Sequence, residues 1–422
     1  MKKTFKLVVL LFALRATMAG AQAVPAATVH SLPVSGDLQY DFSYSQMAEF
    51  GAGLGDSQMS TLSASASYAN GKDRFPFSME YGGGYLWTIA GPSYGSGLFQ
   101  NLFLSQGIVG RKWNVVASDN VSYLPEAPTT GFTGIPGIGE PIGTPSPAPP
   151  SGQSILTLNT YVIYNIAQAE LGENLSRTTL FNAGGSYGLF RYPDGNGINM
   201  NMTTANAGPT WQLNARNSLM GDYLYSQFSF PDYHLSITTN AATLGFQRAW
   251  NRKVTTNISA GPQWLSSSQS AIVPSSLGVM VNAAVNYQFQ LDSASLVYSH
   301  EVGGGAGYFI GAEIDTVTAN FSRGFGKKLT VGADASYMRT ASLGNSTAEN
   351  ILLGYSGVFN SEFAGVQATR QLSRHISAFA SYTDMVQSPS SGVAVPTNLL
   401  NELMQIVSFG INYSPRVRHL RQ

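Results

Sequence analysis

Seven carboxylates, Asp41, Glu80, Asp222, Glu301, Glu313, Asp315 and Asp334, fall on the more polar side of segments in which apolar and polar residues alternate. Hardly any Lys or Arg joins them away from the turns. A period of two sends successive side chains to opposite faces, so these acids are expected to line whatever the polar faces enclose. Carboxylates around a water-filled passage attract cations and repel anions. The competing structural reading is that some of them pair with basic residues of nearby turns, or stiffen the wall through hydrogen bonds.

A catalytic constellation is harder to assemble. The histidines are His30, His234, His300, His375 and His419. His30 and His419 lie toward the termini and His375 in a short turn. His300 stands between Ser299 and Glu301, but strand neighbours point to opposite faces and cannot form a Ser–His pair. His234 with Asp232 is the better acid/base candidate, yet no nucleophile signature accompanies it. Zinc spacings and Walker loops are absent, and Gly82-Gly83-Gly84 and Gly303-Gly304-Gly305 read as loop glycines because no helix follows them. Without cysteine there is neither disulfide nor thiolate metal chemistry. The expectation is a protein that is not an enzyme, with no catalytic residue, metal or cofactor.

The elements that carry these residues repeat one unit of ten or so alternating residues and a turn, from about Gly36 onward. The clearest copy sets Leu277, Val279, Val281, Ala283, Val285, Tyr287 and Phe289 against Gly278, Met280, Asn282, Ala284, Asn286, Gln288 and Gln290. About eighteen copies predict a single transmembrane antiparallel β-barrel of the up-and-down type, because lipid tolerates backbone polar groups only when each is paired. Eight short turns alternate with nine long connections. The short turns are centred near 70–74, 110–112, 171–177, 214–217, 251–253, 291–293, 324–328 and 372–375. Long connections include 82–96, 126–152, 191–199, 266–274, 341–362 and 387–402. Ile351 to Phe359 also alternates, but counting it as a strand breaks the even parity. Pro209 and Pro262 fall inside expected strands, where a missing N–H weakens a ladder.

Charge sorts with turn length. Most Lys and Arg fall in or beside the short turns, whereas acids such as Glu49, Glu126, Glu140, Asp194 and Glu362 belong to the long-loop end. The long Pro/Gly-rich connection from Pro125 to Gly152 is long enough to fold across a pore, placing Glu126 and Glu140 at a constriction. As an alternative it is a loose surface loop, which its composition favours. Asp119 and Asp384 take the lipid register near external strand ends.

Residues 1–23 read as an export signal, with Lys2, Lys3 and Lys6, the apolar run Leu7 to Leu14, and small residues ending Ala19-Gly20-Ala21 or Ala21-Gln22-Ala23. Residues 24–35 form a periplasmic leader, 36–414 the barrel and 415–422 a basic tail. Charged residues are 11% of the chain, against roughly a quarter in ordinary soluble proteins. Loss of the signal removes four of the 23 basic residues and leaves 23 acidic ones, a balance that argues against nucleic acid as a partner.

The signal, the alternating strands and a last strand with Phe409, Ile411 and Tyr413 in one register resemble Gram-negative outer-membrane barrels, with Tyr413 matching the final aromatic that barrel-insertion machinery recognises. The hairpin from Gln371 to Tyr382 resembles porin-like barrels encoded near exopolysaccharide export genes. The resemblance implies an outer-membrane setting among lipid and lipopolysaccharide, and a transport or export role. The expected activity is passive diffusion of small hydrophilic solutes or saccharides by a monomer or homotrimer, with some cation preference. The alternative is an accessory barrel of surface-polysaccharide export or secretion. A hydrolase is the remote third reading.

Overall fold

The computed structural model describes residues 37–50, 56–70, 74–91, 96–126, 160–195, 197–305, 309–344, 357–389, 403–415 and 418–419. Eighteen strands follow one another. The first six are β1 (Asp37–Phe50), β2 (Ser57–Asn70), β3 (Phe77–Ala90), β4 (Gly97–Val109), β5 (Trp113–Glu126) and β6 (Thr160–Asn174). Then come β7 (Thr179–Arg191), β8 (Met200–Asn214), β9 (Asn217–Phe230), β10 (Leu235–Ala249), β11 (Val254–Ser267) and β12 (Ser276–Phe289). The last six are β13 (Asp292–Gly303), β14 (Ala312–Phe325), β15 (Leu329–Ser342), β16 (Val358–Gln371), β17 (Ile376–Pro389) and β18 (Leu403–Tyr413).

Each strand pairs antiparallel with its sequence neighbours, and β1 pairs with β18 from Phe42↔Tyr413 to Phe50↔Gln405. The sheet therefore has no free edge, the condition for placing a β-structure in lipid. Arg418–His419 extends this seam by pairing with Asp37 and Leu38, so the tail beyond Tyr413 continues along β1.

The eight short turns lie where alternation and turn residues put them, between β2 and β3, β4 and β5, and so on to β16 and β17. Two expectations about strand ends change. Gly82-Gly83-Gly84 lies inside β3, because the alternation of Tyr81, Tyr85 and Trp87 runs through it. A side chain at Gly84 would collide with the Phe99 ring and the Leu62 carbonyl of the flanking strands. The expected connection after β15 is shorter, since β16 begins at Val358. Within the ambiguous 351–359 run, 351–356 lies outside the described residues.

The prolines are accommodated on one side only. Pro209 of β8 pairs with Phe181 of β7, while the β8–β9 pairing is interrupted, with its offset unchanged, between Ala207↔Tyr223 and Thr210↔Met220. Pro262 of β11 pairs with Val279 of β12, while the β10–β11 pairing is interrupted, with its offset unchanged, between Ala241↔Gln263 and Leu244↔Ala260. A ring without N–H costs a ladder bond on the side where its nitrogen faces.

Candidate functional site: the barrel lumen

Alternation gives every strand an outward and an inward register. The outward one carries the exposed apolar side chains, among them Leu244, Ile258, Val279, Val317, Phe321 and Val366. Aromatics flank this band, with Trp113, Trp211, Trp250, Phe289 and Phe325 toward the short-turn end and Phe50, Tyr85, Trp264 and Tyr337 toward the other. The inward register holds many small polar residues, as in Ser63, Ser105, Ser122, Thr255, Thr318, Ser336 and Ser408. Hydroxyl pairs such as Thr318–Ser336 at 3.1 Å and Ser186–Thr204 at 2.6 Å tie neighbouring strands there. A wall greasy outside and wet inside, with short turns at one rim and longer connections at the other, is the outer-membrane pattern. The molecule is an eighteen-stranded outer-membrane barrel.

No family model matches the sequence, and no curated protein does. Among solved structures, OccK2 (OpdF) of Pseudomonas aeruginosa is similar at 10% identity, covering 90% of this chain and 97% of that one, with a TM-score of 0.47. OprD of Pseudomonas aeruginosa is similar at 9% identity over 90% and 96% of the two chains, TM-score 0.44. OccAB3 of Acinetobacter baumannii is similar at 10% identity over 90% and 99%, TM-score 0.42.

Parity places the candidate acids of the barrel. Asp41, Glu80, Asp222, Glu301 and Asp334 alternate with exposed apolar neighbours such as Phe42, Tyr81, Tyr223 and Tyr337, and take the inward register. They are spread from near the short-turn end, Asp41 and Glu80, to near the external end, Glu301. Glu313 and Asp315 differ from expectation. They share the alternation of Val317 and Phe321 and face outward. Polarity alone mispredicts the face there, because outward positions near a strand's external end reach the headgroup layer, where a charge costs little. Two further acids, Glu49 and Glu170, stand in the inward register; strict parity applied to β1 and β6 identifies both. Glu126 is the last residue of β5, and Glu140 lies outside the described residues, as does most of the proposed constriction loop.

The basic residues behave oppositely. Arg191, Arg248, Arg323, Arg339 and Arg370 all take outward registers, and no Lys or Arg of β1 to β18 takes the inward one. Near the short-turn rim they lean on the outward aromatics: Arg248 lies 4.2 Å from the Trp250 ring centre and Lys253 3.4 Å from that of Phe289. Three inward acids are held by neutral groups. Asp41 accepts from Gln39 Nε2 at 3.1 Å and from Ser414 Oγ, the buried Glu49 accepts from Ser57 Oγ at 2.9 Å, and Asp222 accepts from Asn206.

Asp222 also sits between the two proline gaps. It pairs with Thr243 across the β9–β10 ladder, where Gly221 pairs with Leu244 and Tyr223 with Ala242. Pro209 and Pro262 offer no N–H to the strands beside this hairpin. The carbonyls of Gly221 and Ala242 press instead over the inward sides of Gly208 and Gly261, where a Cβ would strike them. Two carbonyl oxygens thus tip toward the lumen on either side of one carboxylate.

In its external half the inward wall carries apolar clusters beside buried polar residues such as Glu49, Ser57, Thr340 and Gln387. Phe190, Met200, Met202, Phe228, Phe230, Leu235, Ile237 and Leu265 form one buried cluster. Ile198 and Val273, from the connections after β7 and β11, and Ile310, from the connection before β14, pack into it. Gln269 Nε2 donates to the Tyr233 and His234 carbonyls at 3.3 and 3.2 Å, pinning the connection after β11. A second cluster, Met47, Met59, Leu86, Met385, Met404 and Ile406, lies on the β1–β3 and β17–β18 side. Among the described residues, the connections that pack inward do so through the apolar residues Ile198, Val273 and Ile310.

The histidine candidates separate. His234 takes a left-handed backbone after the short turn 231–233, and Asp232 accepts from Asn199 at 2.9 Å. His300 meets a partner that sequence spacing does not reveal: its Nδ1 lies 2.7 Å from Asp315 Oδ1, on the outward face.

Proposed function

We propose that the chain is a porin-like channel through which small hydrophilic solutes diffuse passively across the outer membrane, with preference for cations. The observation that carries this reading is the sorting of basic charge by register: every strand arginine is outward, where acids such as Asp315 and Asp292 share its face, while the inward acids Asp41, Glu49, Glu80, Glu170, Asp222, Glu301 and Asp334 have no Lys or Arg of β1 to β18 beside them. In a narrow aqueous passage with low-dielectric walls such sorting produces a negative potential that concentrates cations. Asp222, with the inward-tipped carbonyls of Gly221 and Ala242, supplies hard oxygen ligands partway along the path. The apolar clusters and inward connections narrow the external half, which favours small solutes. Lipid and lipopolysaccharide around the outward band, insertion machinery that recognises Tyr413 and a homotrimeric assembly belong to the same proposal.

The test is conductance of the refolded barrel in planar bilayers under a potassium chloride gradient. A reversal potential biased toward potassium is expected, moving toward zero in the double variant D222N/D334N. An anion-biased reversal defeats the cation preference. A barrel that never opens defeats the channel and leaves the polysaccharide-export role that the resemblance implied.

A further inference from the structure

On the outward face, near the external ends of β13 and β14, an imidazole and two carboxylates converge. His300 and Asp315 are directly opposite in the ladder, and Glu313 stands opposite Val302, one diagonal step away on the same face. His300 Nδ1 lies 2.7 Å from Asp315 Oδ1. An ionised carboxylate only accepts, so Nδ1 carries the proton and Nε2 of the neutral ring presents its lone pair. That lone pair looks toward Glu313 Oε1, 4.0 Å away. The separation is too long for a hydrogen bond. It is close to the span of two metal–ligand bonds of about 2.0–2.2 Å, and a tetrahedral angle at such bonds needs about 3.4 Å. Glu313, exposed and free to swing, supplies the difference.

We propose that His300 and Glu313 bind one divalent cation of the zinc class, and that Asp315 is the positioning residue that fixes the imidazole. Several observations support this. A carboxylate on the far nitrogen of a ligating histidine is the usual device for setting its tautomer and orientation. Asp315 is itself secured, accepting from Tyr298 Oη at 3.1 Å and from Arg339 at 3.3 Å. His300, Glu313 and Asp315 bring their polar atoms within 4.8 Å of one another. With the imidazole neutral, Glu313 and Asp315 against Arg339 leave one net negative charge, and Glu362 and Asp384 add two more to the outward external face of β16 and β17. Arg339 is the sole basic residue on that face from β13 to β17 among the described residues. The ligands sit on strands, so little ordering is needed. Tyr298 and Tyr337 lie one step deeper in the same register, opposite Val317, which puts the open coordination positions at headgroup height, where water and phosphate oxygens are available.

The test is calorimetric titration of zinc chloride into the refolded barrel in octyl glucoside, a detergent without phosphate. One saturable equivalent is expected in the wild type and in the control H234A. It should vanish in H300A and E313Q and weaken about 10- to 100-fold in D315N, as the loss of an orienting partner does. Calcium chloride should give no comparable binding, because hard cations take oxygen rather than imidazole. Each variant must keep the heat-modifiable gel mobility of a closed barrel, and cobalt should give a visible absorption band that H300A abolishes. Absence of a saturable equivalent in the wild type, or its persistence in folded H300A or E313Q, overturns the site. Channel conductance enters neither outcome, so this inference stands or falls apart from the proposed transport.

Discussion

The two sides of the wall differ in the charges they hold, since every arginine of the strands is outward. Outward, Asp315 is met by an imidazole, a tyrosine and an arginine, and Asp292 lies 3.5 Å from Arg323. Inward, Asp41, Glu49 and Asp222 are met by glutamine, serine and asparagine. Near the external strand ends an outward carboxylate reaches the headgroup layer and can also meet a cation, as Asp315 meets Arg339, whereas no Lys or Arg of the strands reaches the inward acids and their field stays unbalanced. The inward register is thus where unbalanced charge can be kept for use. Breaking this contrast calls first for breaking the wall itself. Val at Gly208 or Gly261 drives a branched side chain into the carbonyl of Gly221 or Ala242. The expected loss is on the order of 5 kcal/mol, read as absence of the heat-modifiable folded band. Val at Gly278, also inward, meets only the Gln263 carbonyl at 4.0 Å and should leave folding intact.

Adjacent residues of one strand sharpen the contrast further. Lys at Val317 buries an ammonium in the lipid band and should cost about 2–4 kcal/mol by urea unfolding in vesicles. Lys at Thr316, one residue away and inward, should cost little stability but shift the reversal potential toward anions. Equal destabilisation by both would mean that the inward face is as dry as the outward one.

How far this was legible from sequence depends on what fixes each feature. Short turns were legible because tight connections carry polar and basic residues at a fixed interval, and they set hairpin registers directly, as at Asn214↔Asn217. Registers across long connections were not. The meeting of His300 with Asp315 depends on β13–β14 pairing closed through residues 304–311, whose length alone does not determine the offset. Faces were legible wherever one register was plainly apolar, and failed at Glu313 and Asp315, where a strand end leaves the hydrocarbon and polarity stops reporting direction. The inward connections were missed for a related reason. Proline and glycine draw attention to 125–152, of which 127–152 lies outside the described residues, whereas the connections seen to pack inward do so through apolar Ile198, Ile272, Val273 and Ile310.

The smallest expected effect concerns Arg339. Its contact with Asp315 is partly exposed, with side-chain exposures of 39% and 24%, and measures 3.3 Å. Pairs of this kind contribute about 0–1 kcal/mol after screening and side-chain entropy. Arg339→Ala should therefore move the urea midpoint by less than about 1 kcal/mol equivalent, since Tyr298 and His300 still hold Asp315. A much larger loss would show that outward carboxylates depend on full cationic partners rather than on the headgroup environment. The difference between the two faces would then be one of pairing more than of solvent.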